Sequence, residues 1–240
     1  QNAQEEHTIV KRELDGEADG VIVEPYSSEA DVILPTESAK PVVLVGTGIE
    51  TDRLFTSVMT DHGKLGKSLA DAVIQGKAVK VGILSGNQSQ LGMRQRLKSV
   101  KDKLEEAGIE ISWILSEKEL DKKMRNVEYF AEQPVDTVIS LDNDDTEKAV
   151  DIILNDDRIS WKLYGEGRSE KLIYYLDKGT IQELAVPNEY YMGYQSIVLA
   201  AQNIRYYTDK TEQAEVEFYM VSKDNLYDEE TSRILFPAVR

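Results

Sequence analysis

With 240 residues the chain is long enough to bury a substantial core, and it fits one large domain or two lobes of roughly 100 residues each. Hydrophobic residues make up 41% and charged residues 30%, and no apolar run approaches the ~20 residues needed to cross a bilayer. Lys and Arg number 28 against 44 Asp and Glu; the formal charge of -16 repels phosphate backbones, so no direct nucleic acid binding by this segment is expected. The absence of cysteine excludes disulfides, iron–sulfur clusters and thiol catalysis. Two histidines, His7 and His62, leave little material for a zinc site or a Ser–His–Asp triad, and no cofactor is expected.

Taken in chain order, short β-branched runs bounded by Gly, Pro or Asp alternate with longer amphipathic stretches. Strands are predicted at 20–23 and 41–45, followed by a helix over 63–75 and a strand at 79–84. A helix over 89–107 has Leu97, Val100 and Leu104 at helical spacing and Gly108 as a left-handed stop. Next come a strand at 109–115, a helix over 117–132, a strand at 135–141, a helix over 146–154 and a strand at 161–164. Helices over 170–177 and 190–207 complete the pattern. Continuous apolar strands such as 42–45 imply burial on both faces, which calls for helices on each side of a parallel sheet. The fold class expected is α/β, with two doubly wound parallel-sheet lobes.

Several segments in a fixed order resemble the periplasmic-binding-protein type I superfamily, which includes ribose-binding proteins and the effector domains of lactose-repressor-like regulators. Residues 14–23, reading LDGEADGVIV, resemble the helix-to-strand passage of the first lobe, and Lys40-Pro41-Val42-Val43 its next strand. Thr60-Asp61-His62-Gly63-Lys64-Leu65-Gly66 resembles the segment whose Asp often contacts the ligand. Leu84-Ser85-Gly86 followed by Arg94-Gln95-Arg96 resembles the strand, loop and helix start that carry a ligand-contacting Arg. Asp142-Asn143-Asp144 falls where the family often reads Asn-Asp, and residues 188–193 resemble the return to the first lobe.

The resemblance implies lobes of residues 1–77 plus 187–209 and 78–186 plus 210–240, with crossings near 76–80, 186–188 and 208–221 forming a three-strand hinge. It also implies that the sequence starts inside a helix, after the family's opening strand, helix and strand, so that the first lobe is incomplete and smaller than the second.

Sugars are held by planar polar side chains making paired hydrogen bonds and by aromatic rings on their apolar faces. Asp61, Arg96 and Asp142 lead the candidates, each at a strand's carboxyl end or in the following helical turn. Asn143, Glu166 and Tyr190 complete the set; Glu166 stands in the turn 165–168, where Gly167 occupies the family's usual acidic position. Other readings compete. Asp61 can cap the helix that follows, Arg94 competes with Arg96 for the inward position, and Asp145 is the expected N-cap of a helix starting at Thr146. The cluster Asp142, Asp144 and Asp145 can also be read as a metal site or an acid/base pair, but it lacks a calcium loop's spacing and glycine. Both histidines and Arg94 are expected at the surface, Trp113 in the core.

The leading expectation is a non-enzymatic binding module that holds a small polyhydroxylated, sugar-like ligand between two lobes, as an extracytoplasmic solute receptor for transport or signalling. Its partners would be a membrane permease or a sensor kinase; homodimerisation stays open. The alternative is the effector-binding domain of a lactose-repressor-like transcription regulator, which would place the chain in the cytoplasm. A doubly wound enzyme is the second alternative.

Overall fold

The computed structural model describes residues 2–29, 40–126, 128–206 and 211–236. In chain order the first half carries α1 (Ala3–Asp15), β1 (Val21–Val23), β2 (Val42–Val45), β3 (Thr56–Met59), α2 (His62–Gln75), β4 (Lys80–Leu84), α3 (Leu91–Glu106) and β5 (Glu110–Leu115). The second half carries α4 (Glu117–Lys123), α5 (Glu128–Glu132), β6 (Thr137–Ser140), α6 (Asn143–Asn155), β7 (Lys162–Glu166), α7 (Glu170–Lys178), β8 (Ile181–Pro187), α8 (Glu189–Tyr206), β9 (Gln213–Glu215), β10 (Phe218–Ser222) and α9 (Glu229–Leu235). They form two compact units: Gln1–Asp61 with Ser89–Arg94 and Asn188–Glu217, and His62–Gln88 with Gln95–Pro187 and Phe218–Arg240.

In the first unit four parallel strands run in the order β1-β2-β3-β9. Asn2 caps α1 by accepting the Glu5 N–H at 3.0 Å. Val10 and Leu14, four apart and so on one helix face, then pack with Val23, Leu44 and Ile49. On a second cluster, Met192 and Leu199 of α8 meet Val43, Val58 and Val216. Val43 and Val58 are completely enclosed, which contributes roughly 1.5–3 kcal/mol for each such side chain. Among the described residues β1 is an edge strand, and a cavity of about 760 Å³ lies beside it and α1, lined by Ile9, Val10, Val21, Ile22 and Val23 together with Glu5, Glu6 and Glu13.

The second unit holds six strands in the order β10-β8-β7-β6-β4-β5, all parallel except β10, which runs antiparallel to β8. Its core includes Trp113, Phe130 and Trp161, with the Phe130 and Trp161 rings edge to face at 5.3 Å. Gly82 makes that cluster fit, because a Cβ there would come within 2.2 Å of the Trp113 indole. The α2 helix packs on β6, β7 and β8, inside this unit. The division expected from the sequence counts residues 62–77 with the first lobe instead, and 210–217, which include β9, with the second.

Four strands escaped the sequence pattern: β3, β8, β9 and β10. The run Thr56-Ser57-Val58-Met59 is half polar in composition, yet Thr56, Ser57 and Val58 are all buried. The helix expected over 117–132 is two helices: α4 closes when Met124 N–H donates to the Leu120 carbonyl, and Asn126 N–H turns back onto the Lys123 carbonyl. The helix expected from 146 begins at Asn143 instead. Its cap is Asp142, whose side chain accepts the Asp145 N–H at 2.8 Å, so Asp145 lies in the first turn rather than at the cap.

Candidate functional site

Parallel α/β sheets gather polar chemistry at the carboxyl ends of their strands, where loops and helix N-termini converge. In the second unit that edge is formed by the residues that follow β4, β6 and β7. Arg96, in the second turn of α3, is only 5% exposed. Its Nε donates to Nδ1 of His62, the first residue of α2, at 3.0 Å. One terminal nitrogen donates to the Leu141 carbonyl beyond β6 and lies 3.2 Å from the carboxylate of Glu166, the last residue of β7. Three separate elements therefore fix both the position and the plane of the guanidinium. Such an ion pair is buried at a desolvation cost, and removing one member leaves the other uncompensated.

Asp142 and Asp145 lie next along this edge. Asp142 is half-buried, and burial holds its carboxyl above the usual range, with the charge of Asp144 adding to the shift and Arg96 opposing it. Asp145 is fully enclosed; it accepts the Gly86 N–H at 3.2 Å and meets the Lys148 ammonium at 3.3 Å. Burial first, and then the neighbouring Asp142 charge, push its carboxyl up to about 7. Asn143 serves the chain that follows β7: its side-chain oxygen accepts the N–H groups of Arg168 and Ser169, at 3.2 and 3.3 Å. Gly167, at φ +138°, passes so close to Asn143 that a Cβ there would meet its oxygen at 2.6 Å. Among the described residues no group of three or more His, Asp or Glu is arranged to hold a metal ion.

Of the six candidates, the second unit brings Arg96, Asp142, Asn143 and Glu166 to one strand edge. Asp61 and Tyr190 belong to the first unit: Asp61 is half-buried two residues beyond β3, and Tyr190 is 64% exposed in the first turn of α8. Three surface expectations need correction. Arg94 is half-buried, because its guanidinium donates to Ser28 Oγ at 2.8 Å and to Glu50 at 2.6 Å. His62 is 5% exposed and supports Arg96. The signal for His62 was in the sequence, since it stands in helical phase with Leu65, Leu69 and Val73 on the buried face of α2. His7 is half-buried as well, with Nδ1 enclosed and no hydrogen-bond partner among the described residues.

The family model described as a periplasmic binding protein domain matches residues 1–207. No curated protein sequence matches the chain. Among solved structures, a myo-inositol binding protein from Caulobacter, bound to myo-inositol, superposes with a TM-score of 0.83 at 18% identity, over 97% of this chain and 83% of that one. A carbohydrate transporter solute binding protein from Agrobacterium radiobacter, in complex with D-arabinose, gives 0.82 at 16% identity over 95% and 82%. A glucose-galactose binding protein from Geobacillus stearothermophilus gives 0.80 at 21% identity over 94% and 84%. At these identities the structures speak for the fold, and the family model, which spans most of the sequence, carries the assignment: the chain belongs to the periplasmic binding protein family.

Proposed function

We propose that this chain is a non-enzymatic binding module for an uncharged sugar or sugar-like polyol, working outside the cytoplasm as a solute receptor for a membrane permease or a sensor kinase. The observation that carries the reading is the polar strand edge of the second unit, where a rigidly held Arg96 stands beside the half-buried carboxylate of Asp142. A guanidinium and a carboxylate side by side offer the paired donors and acceptors that vicinal hydroxyls require. Charge points to a neutral ligand. Arg96 is already paired with Glu166 and has the Asp142 carboxyl beside it, so a phosphate or carboxylate would meet carboxylates together with the guanidinium. The sugars and polyol named for the similar structures support the same class.

On the second unit the proposed contacts are Arg96, Asp142 and Glu166, with Asn143 holding the turn after β7. On the first they are Asp61 and Tyr190. Titration calorimetry of the wild-type chain with D-arabinose, D-fucose, D-galactose and myo-inositol tests the proposal. At least one should bind, and Asp142→Asn, which keeps the shape but weakens the acceptor, should lose roughly ten- to a hundredfold in affinity. Arg94→Ala, which disturbs Ser28 and Glu50 instead, should bind as wild type does. No binding of any of the four, or equal affinity in Asp142→Asn, would reject the site.

A further inference from the structure

We infer that His62 is the positioning residue for Arg96 and that ligand affinity depends on His62 staying neutral; the ligand-binding half of this rests on the sugar-binding reading above. A guanidinium has donors and no acceptor, so every group that fixes it must offer a lone pair. Around Arg96 those groups are the Leu141 carbonyl, the Glu166 carboxylate and His62 Nδ1. The first two engage a single terminal nitrogen. His62 engages Nε, on the opposite side, and so sets the rotation of the guanidinium plane. An imidazole nitrogen that accepts a hydrogen bond carries no proton, which makes His62 the neutral tautomer with its hydrogen on Nε2. Protonation at Nδ1 would remove the acceptor and set a second cation about 3 Å from the first.

The surroundings leave Arg96 little room to compensate. His62 is 5% exposed and opens α2, and a Cβ on Gly66 would stand 2.5 Å from the Arg96 carbonyl oxygen, so α2 and α3 are in direct contact along the turn that presents both side chains. At this turn stand Arg96 of α3 and Glu166 of β7, with Asp142, Asp145 and Lys148 of α6 beyond Arg96; the same elements also carry Asp71 of α2 paired with Lys103 of α3 at 2.8 Å, Lys162 of β7 and Glu183 of β8, and β6 contributes none. The α6 carboxylates also take up protons as pH falls, so the contribution of His62 must be read as a difference between variants.

The experiment compares wild type, His62→Asn and His62→Leu. Asn places an amide oxygen close to where Nδ1 stands and cannot be protonated; Leu fills the space with no acceptor. Calorimetry with the best of the four sugars, from about pH 8 down to about pH 5, should give Asn an affinity within roughly threefold of wild type at pH 8. Its loss of affinity on acidification should be smaller than wild type's, and Leu should bind roughly ten- to a hundredfold more weakly at every pH. A ligand-free readout runs beside it: the Arg96 Nε–H signal in proton–nitrogen spectra should be protected from exchange in wild type and Asn, and exposed in Leu. If sugar binds but Leu matches wild type, or if Asn keeps the full pH dependence, the inference fails while the sugar reading stands. If no sugar binds yet Nε–H protection disappears in Leu, the positioning role stands and the sugar reading fails. Equal protection in all three proteins overturns the positioning role itself.

Discussion

Asp145 is a fully buried carboxyl whose ionisation costs the second unit stability. Its carboxyl ionises near the ordinary aspartate value of 3.8 in an unfolded chain and only at about 7 in the fold. Between those pH values the folded state holds a proton that the unfolded state has lost, so stability falls as pH rises from about 4 to about 7 and stays reduced above it. A shift of that size corresponds to a few kcal/mol, at about 1.4 kcal/mol per pH unit, shared with the coupled Asp142. The opposing Lys148 contact is partly exposed and contributes only about 0–1 kcal/mol. Asp145→Asn keeps an oxygen for the Gly86 N–H and removes the charge. Its melting temperature should therefore exceed that of wild type at pH 8, with the advantage shrinking toward pH 5; a constant difference across that range would mean that the carboxyl titrates normally. The carboxylate was visible in the sequence, but its burial was not. A pattern that reads Asp145 as a helix cap puts it in water, and only the cap at Asp142, three residues earlier, turns it inward.

At the level of elements, legibility followed the strength of the local signal. The α3 helix was marked by Leu97, Val100, Leu104 and the left-handed Gly108, at φ +69°, and it runs close to the expected bounds. The β8 strand was missed because Ile181, Gln182, Glu183 and Leu184 show neither strict alternation nor a continuous apolar run, although the strand pairs with neighbours on both sides. The site divided in the same way. Arg96, Asp142 and Glu166 were named as candidates through resemblance to a family, whereas the burial of His62 beside Arg96 required knowing which face of α2 is buried, and its apolar phase shows that face on close reading.

The contact between α2 and α3 is itself testable. Gly66→Ala improves intrinsic helix propensity by roughly 1 kcal/mol, but the new Cβ would lie 2.5 Å from the Arg96 oxygen and 3.1 Å from its Cα, both backbone atoms that cannot rotate away. The clash should outweigh the gain and destabilise the chain by about 1–3 kcal/mol, as overpacking of a filled core does. Chemical denaturation measures this, and an unchanged or raised midpoint would show that the two helices separate freely.

At the scale of the whole molecule the two units have unequal means of holding themselves together. The sheet of the first is built from strands of 3, 4, 4 and 3 residues. That of the second has strands of 5, 6, 4, 5, 7 and 5. Shorter ladders mean fewer backbone hydrogen bonds to break in a local opening, and the edge strand β1 leaves Ile22 41% exposed beside the cavity at α1. The core clusters among the described residues are unequal too: two in the first unit contain five buried residues each, while one in the second joins 21, including the rings of Trp113, Phe130 and Trp161. Opening free energies should follow the same order. In hydrogen exchange read by mass spectrometry, amides of β1, β2 and β3 should exchange well before those of β4, β6 and β7. Urea should expose the first unit at concentrations that leave the second protected. Equal protection of both sheets, lost together in one transition, would mean that the units unfold as a single cooperative block and that strand length and cluster size do not set their separate stabilities.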